Sequence, residues 1–306
     1  MITAPAEFRR RLNTAAKAHV RIHGGSVQDL MERFYLSRLL ARAYSHDPQG
    51  WLLKGGQALL VRYTDARHSR DLDLLYRHAD RDLDDAVTAL RTAAVEDLGD
   101  HVCFEFFDTT STSKIGHARR VRFTPIIGTK SSSVLGVDVV VGPAPFGEPV
   151  SRILTPVLAV EGIEAGPVVR LYPIVDHLAD KICAMHERHS GVASSRYRDL
   201  VDILLMILRE PIDGTQLRTA LHTEVGRRRL RGTDITLPRR FRAPDPVWIP
   251  GYRDEARTVA GLERFRTWDE AFPFVCRFLD PLLADRPPGT WRPEAGDWRG
   301  QDGPEA

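Results

Sequence analysis

Two short motifs in this chain combine residue types that could do chemistry together. The first is Lys54-Gly55-Gly56, and the second is Asp71-Leu72-Asp73. If the second motif is a β-strand, its side chains alternate, so both carboxylates lie on one face about 7 Å apart. Two such carboxylates are the hard oxygen ligands that Mg²⁺ prefers. In two-metal phosphoryl transfer, a site of this kind activates the attacking hydroxyl and neutralises the leaving pyrophosphate.

A third carboxylate is expected to complete such a site. Asp138 is the single acid in the run Val137–Val141, whose β-branched residues predict a buried strand. An unpaired carboxylate buried there would cost free energy, and metal binding is one way to satisfy it. A residue at the end of an ordinary strand explains Asp138 equally well when it is taken alone.

The diglycine motif lies between a short apolar run and a predicted helix. Trp51-Leu52-Leu53 precedes it, and residues 57–63 follow with a helical pattern. Glycines permit positive φ and let main-chain N–H groups approach a phosphate, while the start of a helix adds a favourable dipole. A lone Gly-Gly is usually only a turn, and Asp-Leu-Asp also occurs at strand edges, at helix caps and in glycosyltransferases. The two motifs in this order favour a metal-dependent nucleotidyltransferase.

Composition sets the broad class of the protein. The 306 residues can form one large or two modest domains, and 27% charged with 42% hydrophobic residues is ordinary for a globular protein. No apolar stretch approaches the length of about eighteen residues that suits a membrane span, and the N-terminus lacks the layout of a signal peptide. We therefore expect a cytoplasmic protein with no membrane partner. Cys103, Cys183 and Cys276 are scattered, which predicts reduced, packed thiols rather than a zinc site or a disulfide framework.

The charges are unevenly distributed along the chain. The net charge is only +2, but arginines cluster at residues 119–122, 227–231 and 239–242. Clustered guanidinium groups can follow a phosphate backbone, although a solvated surface explains any one cluster equally well. Only five of the 43 basic residues are lysines, and Lys54 and Lys181 are two of them. Lysines kept in such an arginine-rich chain hint at positions that need a compact ammonium group.

The periodicity of apolar residues divides the chain into a sheet-rich half and a helical half. We predict a nucleotidyltransferase core with N-terminal helices at residues 1–160, a helical C-terminal domain at 161–284, and a disordered tail at 285–306. The predicted helices are 27–44, 81–98, 174–189, 196–209, 216–230 and 255–283, and the predicted strands include 102–107, 118–127 and the Asp138 strand. Lys181 falls on a different face from the apolar stripe of its helix, and Asp199 shares a face with Asp202.

Four motifs in this order resemble the AbiEii/AbiGii nucleotidyltransferase toxins, including the MenT-like toxins. They are Lys54-Gly55-Gly56-x-Ala58-Leu59, Asp71-Leu72-Asp73, Asp180-Lys181-x-x-Ala184 and Arg198-Asp199-Leu200-x-Asp202, within residues 30–210. The resemblance implies an α/β (α+β) fold, with a DNA-polymerase-β-like core built on a mixed sheet and a helical C-terminal domain. It also implies the toxin of a toxin–antitoxin system.

The resemblance further implies an activity. Such toxins use Mg²⁺, or alternatively Mn²⁺, to add nucleotides from an NTP, with CTP or UTP favoured, to the 3′ end of the tRNA acceptor stem. This addition blocks aminoacylation and translation. A cognate antitoxin, AbiEi-like or kinase-type, restrains the toxin. Ser69 lies two residues before Asp71, where phosphorylation silences some members of the family, and is therefore a predicted phosphorylation site.

Roles for individual residues follow from the resemblance. Asp71, Asp73 and Asp138 are the implied metal ligands. The implied catalytic residues are Asp71, Asp73, Lys181 and Asp199, and the implied nucleotide-binding residues are Lys54, Gly55, Gly56, Ser69 and Lys181. Lys181 would contact the phosphates of the nucleotide, and Asp199 would orient Lys181 or the acceptor hydroxyl. Without the resemblance, Lys181 reads as a surface lysine and Asp199 as an exposed acid of a helix.

Two other functions are compatible with the same motifs. One is a nucleotidyltransferase that modifies a protein or a small molecule such as an aminoglycoside. The other is a non-catalytic module that keeps the fold and sequesters nucleotide or antitoxin. The full set of Asp71, Asp73, Asp138 and Lys181 argues against the second, because a degenerate fold has no reason to retain all of them.

Overall fold

A computed structural model describes residues 4–69, 71–78, 81–112, 118–163, 166–189, 192–284 and 289–300. The chain divides into two compact units. Unit 1 comprises residues 1–62, 68–144 and 149–171, and unit 2 comprises residues 63–67, 145–148 and 172–306. The sequence predicted the boundary between the core and the helical domain near residue 160. In the structure it lies after residue 171, because the strand Val168–Leu171 pairs with the strand Trp51–Lys54.

Unit 1 begins with two long helices and contains two shorter ones. They are α1 Pro5–His23, α2 Val27–His46, α3 Gly55–Arg62 and α4 Leu83–Ala94. The α4 helix begins later than predicted because Asp82 and Asp85 form a capping box, in which each side chain accepts a hydrogen bond from the backbone N–H of the other residue. The capping box therefore fixes the first turn of α4.

An eight-stranded mixed sheet forms the centre of unit 1. Its strands are β1 Trp51–Lys54, β2 Leu72–Tyr76, β3 Val102–Ser111, β4 Ala118–Ile127, β5 Lys130–Ser131, β6 Leu135–Val141, β7 Val150–Ile153 and β8 Val168–Leu171. The order is β3-β4-β6-β2-β1-β8-β7, with β5 paired to β4. The pairs β2–β6 and β1–β8 are parallel, and the other pairs are antiparallel.

One face of this sheet is buried under apolar side chains of the unit. Leu72, Leu74, Val137 and Val139 belong to its core cluster, together with Leu90 of α4. Strand alternation then points the residues between them, including the acids of β2 and β6, toward the opposite face. The sequence predicted this separation of apolar and acidic side chains.

Unit 2 is mainly helical. Its helices are α5 Ile174–His186, α6 Tyr197–Ile207, α7 Gly214–Leu230, α8 Trp248–Ala256 and α9 Trp268–Leu283, with a 3₁₀ turn at Glu263–Phe265. Two small sheets have the orders β10-β9-β12 and β11-β13-β14. Their strands are β9 Glu187–His189, β10 Val192–Ala193, β11 Ile212–Asp213, β12 Asp234–Ile235, β13 Thr290–Arg292 and β14 Asp297–Arg299.

The single helix expected over residues 255–283 is two helices. Gly261 has a φ of 103°, a conformation that interrupts a right-handed helix. The later helix, α9, then begins at a capping box between Thr267 and Glu270. The earlier helix, α8, starts before the predicted range and includes Pro250 and Gly251, which lie outside every predicted helix.

The structure also differs from the disordered tail expected at residues 285–306. Residues 289–300 form a hairpin of β13 and β14, and β13 pairs with β11. Trp291 is fully buried, and its indole N–H donates a hydrogen bond of 2.6 Å to the carbonyl of Ile207. The ring of Trp298 stacks on Phe278 with centroids 5.0 Å apart. Aromatic burial thus orders a segment whose Gly, Asp and Glu content suggested a tail, while residues 285–288 and 301–306 lie outside the described part of the chain.

Two expectations based on composition concern membranes and thiols. Within the described residues, no helix combines the length and the apolar character needed to cross a membrane. The three cysteines are free, and Cys183 is buried as expected. Cys103 is exposed, however, because it alternates with the buried Val102 and Phe104 on β3.

Candidate active site

Four charged residues form a row across adjacent strands of the unit 1 sheet. Lys54 is paired in register with Asp73, Asp73 with Asp138, and Asp138 with Arg120. Direct partners on neighbouring strands point to the same face of a sheet. We call these four residues the charged row. The structure therefore brings together Asp73 and Asp138, which the sequence predicted as metal ligands, and flanks them with a cation on each side.

Asp71 is connected to the charged row through Arg120. Asp71 immediately precedes β2, and its carboxylate accepts a hydrogen bond from Nη2 of Arg120. The same Nη2 donates to Oδ2 of Asp138 at 3.3 Å, and Nε of Arg120 lies 3.1 Å from Oδ1 of Asp138. One guanidinium group thus contacts two of the three predicted metal ligands. The sequence analysis noted Arg120 only as a member of an arginine cluster, although strand alternation could have placed it on the acidic face.

The diglycine motif lies directly against the charged row. The α3 helix begins at Gly55, which follows Lys54 without an intervening loop and has a φ of 63°. A Cβ atom on Gly55 would overlap the carboxylate of Asp73. The sequence analysis attributed this glycine to the approach of a phosphate. In the structure, the group that lies close to Gly55 is the carboxylate of Asp73, so this contact links the two motifs.

Ser69 is half-buried in the segment that leads into β2. Its carbonyl accepts a hydrogen bond of 2.6 Å from the side-chain amide of Gln57 on α3. Its hydroxyl lies 3.4 Å from the carbonyl oxygen of Asp71 and donates to it. This segment is therefore fixed to the helix after the diglycine turn, and the Ser69 hydroxyl is close to the first predicted metal ligand.

The three carboxylates have the chemistry of a divalent metal site. Oδ1 of Asp138 is buried and makes no hydrogen bond, and burial raises the pKa of Asp138 despite the opposing effect of Arg120. A divalent cation would favour the charged form of this carboxylate. No group of three or more His, Cys, Asp or Glu side chains within the described residues has a metal-binding arrangement as it stands. The guanidinium of Arg120 is the cation that contacts Asp71 and Asp138 in this structure.

Unit 2 contains the other predicted catalytic residues in a buried ion network. Lys181 on α5 is 6% exposed, and its Nζ donates to Oδ1 of Asp199 at 2.8 Å and to Oδ2 of Asp202 at 2.7 Å. Burial disfavours the charged form of Lys181, but the two carboxylates outweigh this effect and raise its pKa. Lys181 is therefore a buried, charged lysine and not the surface lysine that the residue pattern alone suggested.

Two arginines complete this network. Arg196 donates through Nε to Asp199, and Arg67 makes two hydrogen bonds, of 2.8 and 2.7 Å, to the two oxygens of Asp202. Burial raises the pKa of Asp199, but Lys181 and Arg196 outweigh this effect and lower it to about 2. We call Arg67, Lys181, Arg196, Asp199 and Asp202 the ion network. It holds three cations against two carboxylates.

Of the five residues in the ion network, only Lys181 and Asp199 have roles that the sequence motifs imply. The three-residue spacing of Asp199 and Asp202 indicated a shared helix face, but it did not indicate that both carboxylates bind one ammonium group. Nothing in the sequence pattern pointed to Arg67, because its partner Asp202 is distant in the chain. Within the described residues, the charged row belongs to unit 1 and the ion network to unit 2.

A strand, a diglycine turn and a helix, followed by a strand carrying alternate acids in a mixed sheet, are the features of a nucleotidyltransferase. Residues 38–272 match the family model "Nucleotidyl transferase AbiEii toxin, Type IV TA system". The chain belongs to this family of nucleotidyltransferase toxins of type IV toxin–antitoxin systems. The resemblance inferred from the four motifs is thereby confirmed.

The solved structure of a nucleotidyltransferase toxin supports the same fold. MenT4, the nucleotidyltransferase toxin Rv2826c from Mycobacterium tuberculosis H37Rv, is similar with a TM-score of 0.56 and 17% identity, over 93% of this chain and 91% of that protein. JHP933 from Helicobacter pylori is more distantly similar, with a TM-score of 0.39 and 18% identity, over 67% of this chain and 78% of that protein. No curated protein matches the sequence. The predicted α/β fold with a mixed sheet and a helical C-terminal half is confirmed.

Proposed function

We propose that this toxin uses Mg²⁺ or Mn²⁺ to transfer nucleotides from an NTP, with CTP or UTP favoured, to the 3′ end of the tRNA acceptor stem. The product cannot be aminoacylated, so translation in the cytoplasm stops. The observation that carries the proposal is the charged row, in which Asp73 and Asp138 are direct partners on parallel strands beside the diglycine turn. Carboxylates in this arrangement match the chemistry of phosphoryl transfer.

Asp71, Asp73 and Asp138 would hold the metal. When bound, the metal would activate the acceptor hydroxyl and neutralise charge on the leaving pyrophosphate. Lys54 ends β1 on the same face as these acids, so its ammonium group would add positive charge that attracts phosphate oxygens to this face. Gly55 lets the first turn of α3 approach the acids closely and thereby keeps phosphate and carboxylates within one small region.

Lys181 would stabilise negative charge on the triphosphate during transfer. A preorganised cation in a dry environment stabilises developing charge better than one that water surrounds. Asp199 and Asp202 fix the position of its ammonium group, and Arg67 and Arg196 add two further cations to the ion network. In this proposal Asp199 orients Lys181, which is the first of the two roles that the resemblance implies.

The arginines favour a nucleic acid as the acceptor. Arg119 pairs with Asp84, Arg122 pairs with Asp108, and Arg228 pairs with three acids, so those clusters are largely neutralised internally.

A different cluster, Arg239, Arg240 and Arg242, is exposed and has no carboxylate partner in the part of the chain that the structure describes. Phe241, between Arg240 and Arg242 in the sequence, is buried. Its backbone N–H donates a hydrogen bond of 2.7 Å to the carboxylate of Asp280 and so fixes the segment. Unpaired guanidinium groups on a fixed segment suit a phosphate backbone.

The family implies a cognate antitoxin, and Ser69 suggests how one type could act. We propose that a kinase-type antitoxin phosphorylates Ser69, with an AbiEi-like antitoxin as the alternative. A phosphate at Ser69 would add a dianion beside the backbone of Asp71. It would repel the triphosphate and compete for the metal, so the modified toxin would be inactive.

The test uses the purified chain with tRNA and radiolabelled CTP or UTP. We expect the label to appear at the 3′ end of tRNA and to disappear in the Asp71→Ala and Asp73→Ala variants. The Asp108→Ala variant is the matched control, because it removes an acid from β3, an edge strand of the same sheet that does not adjoin β2, and should retain activity. Labelling of a protein or of an aminoglycoside, with tRNA untouched, would eliminate the tRNA proposal in favour of the other nucleotidyltransferase function.

A further inference from the structure

We propose that Arg120 is an internal counter-ion of the metal site, which a divalent cation must displace before it can bind Asp71 and Asp138 together. This inference rests on the proposed function only in assuming that these carboxylates bind metal. Its first support is that the guanidinium of Arg120 contacts both carboxylates at once. A guanidinium in contact with both carboxylates repels a divalent cation that approaches them, so the two cations compete for the same pair of acids.

The sheet itself aims Arg120 at the acids. Arg120 is the direct register partner of Asp138 on the neighbouring antiparallel strand, so both side chains leave the sheet on one face. Arg120 occupies this position in the charged row because of its pairing and not because of a chance surface contact. The side chains of Arg120 and Asp71 are 35% and 58% exposed, so water can take over their contacts when they separate.

Gly136 makes room for the guanidinium. A Cβ atom on Gly136 would lie 2.9 Å from Nε of Arg120 and 3.4 Å from its Cζ. Gly136 is the second residue of β6 and is not among the glycines with positive φ, so its backbone does not require glycine. Glycine weakens a strand, and here its absent side chain leaves the space in which the arginine lies. The sequence therefore provides both the cation and the space it occupies.

The electrostatics explain why such a counter-ion is useful. Asp138 is half-buried, and it shares the Arg120 guanidinium with Asp71, so the two acids lie close enough to repel each other. A guanidinium stays protonated at all physiological pH values, so only another cation can replace it at the carboxylates. When no metal is bound, the positive charge of the arginine offsets the repulsion between the two carboxylates. It also sets the metal concentration at which the site fills.

Direct metal binding provides the test. Mn²⁺ affinity is measured by titration calorimetry and by the Mn²⁺ electron paramagnetic resonance signal, with Asp71→Asn as proof that the signal reports this site. We expect Arg120→Gln to bind Mn²⁺ about tenfold more tightly and to melt at a lower temperature when metal-free. Arg122→Gln is the matched control, because Arg122 lies two residues along the same strand, pairs with Asp108 and carries the same charge. Its Mn²⁺ affinity should change less than about twofold.

A second variant separates displacement from a general loss of charge. Gly136→Ala keeps the charge of Arg120 but places a Cβ atom 2.9 Å from its Nε, so the flexible side chain must shift from the position in which it contacts the acids. We expect Gly136→Ala also to bind Mn²⁺ more tightly than the wild type, by about threefold. If Arg120→Gln does not fold, Gly136→Ala decides the question by itself.

The outcomes distinguish this inference from the proposed function. Unchanged or weaker Mn²⁺ binding in both variants would overturn the inference, and so would equal tightening in Arg120→Gln and Arg122→Gln. Transfer of nucleotide to tRNA is measured on the same wild-type preparation. The expected Mn²⁺ shifts without any transfer would leave the inference standing and overturn the proposed function. Transfer by the wild type with no Mn²⁺ shift in the variants would do the reverse.

Discussion

The carboxylate of Asp73 occupies the space that a Cβ atom on Gly55 would need. This contact joins a glycine at the start of α3 to an acid in the middle of the sheet face. The contact links the two motifs, because a larger residue at position 55 would displace the Asp73 carboxylate.

Substitution of Gly55 should damage both stability and activity. Gly55→Ala places a side chain at a φ of 63° and displaces the Asp73 carboxylate. We expect a loss of about 1–3 kcal/mol in the free energy of unfolding and at least about a hundredfold loss of transfer activity. Urea unfolding and the tRNA labelling assay measure the two effects. Gly226→Ala on α7, where nothing lies within 4 Å, is the control and should be neutral or stabilising. Full activity in Gly55→Ala would contradict the proposed geometry.

Asp199 should make stability depend on pH in the acid range. Its pKa of about 2 lies below the usual value of 3.8, so its pairing stabilises the folded state above about pH 4. As the pH falls from about 4 to about 2, that stabilisation, about 2 kcal/mol, should be lost. Asp199→Asn should therefore lower stability at neutral pH and flatten the decrease between these values, as measured by urea unfolding.

The control for this titration is Asp254→Asn, which removes an exposed acid from the same unit. Its free energy of unfolding should decrease between pH 4 and pH 2 as steeply as that of the wild type. If Asp199→Asn retains that slope as well, the contacts from Lys181 and Arg196 do not determine the titration of Asp199.

A negative charge at Ser69 should inactivate the toxin without unfolding it. Ser69→Glu puts a carboxylate beside the backbone of Asp71, where it would repel a triphosphate. We expect transfer activity to fall at least about tenfold while the melting temperature changes little. Ser69→Ala should remain active, and Ser131→Glu, on the exposed strand β5, controls for added charge. Wild-type activity in Ser69→Glu would remove the basis for regulation at this residue.

The exposed arginine cluster should carry much of the salt dependence of tRNA binding. Replacing Arg239, Arg240 and Arg242 together by Gln removes up to three phosphate contacts. The slope of log affinity against log salt concentration should then fall by about 2–3. Filter binding or fluorescence anisotropy over a range of salt concentrations measures this slope.

The matched control replaces three arginines that already pair with carboxylates, namely Arg10, Arg11 and Arg122. The net charge changes by the same amount, but few contacts with phosphate should be lost. Equal slopes for the two triple variants would indicate that binding depends on overall charge and not on the exposed cluster.

Local patterns in the sequence determined much of the unit 1 sheet. Alternation placed Leu72 and Leu74 on the buried face and Asp73 on the other, and the predicted strand at 118–127 has the bounds of β4. The strand and the helix on either side of the glycine pair were also predicted, although both glycines belong to the helix rather than to a turn before it. These features depend on neighbours within a few residues, so a short window of sequence contains the necessary information.

Only the tertiary structure decided which side chains meet. Asp138 is beside Asp73, and Arg120 is beside Asp138, because the register of hydrogen bonds between distant strands puts them there. The same reason applies to Lys181, which is buried and charged because two acids of another helix enclose it. Residues 289–300 are ordered because Trp291 and Trp298 find aromatic partners in α9. Alternation is a local property of the chain, whereas register and burial depend on contacts between segments far apart in sequence.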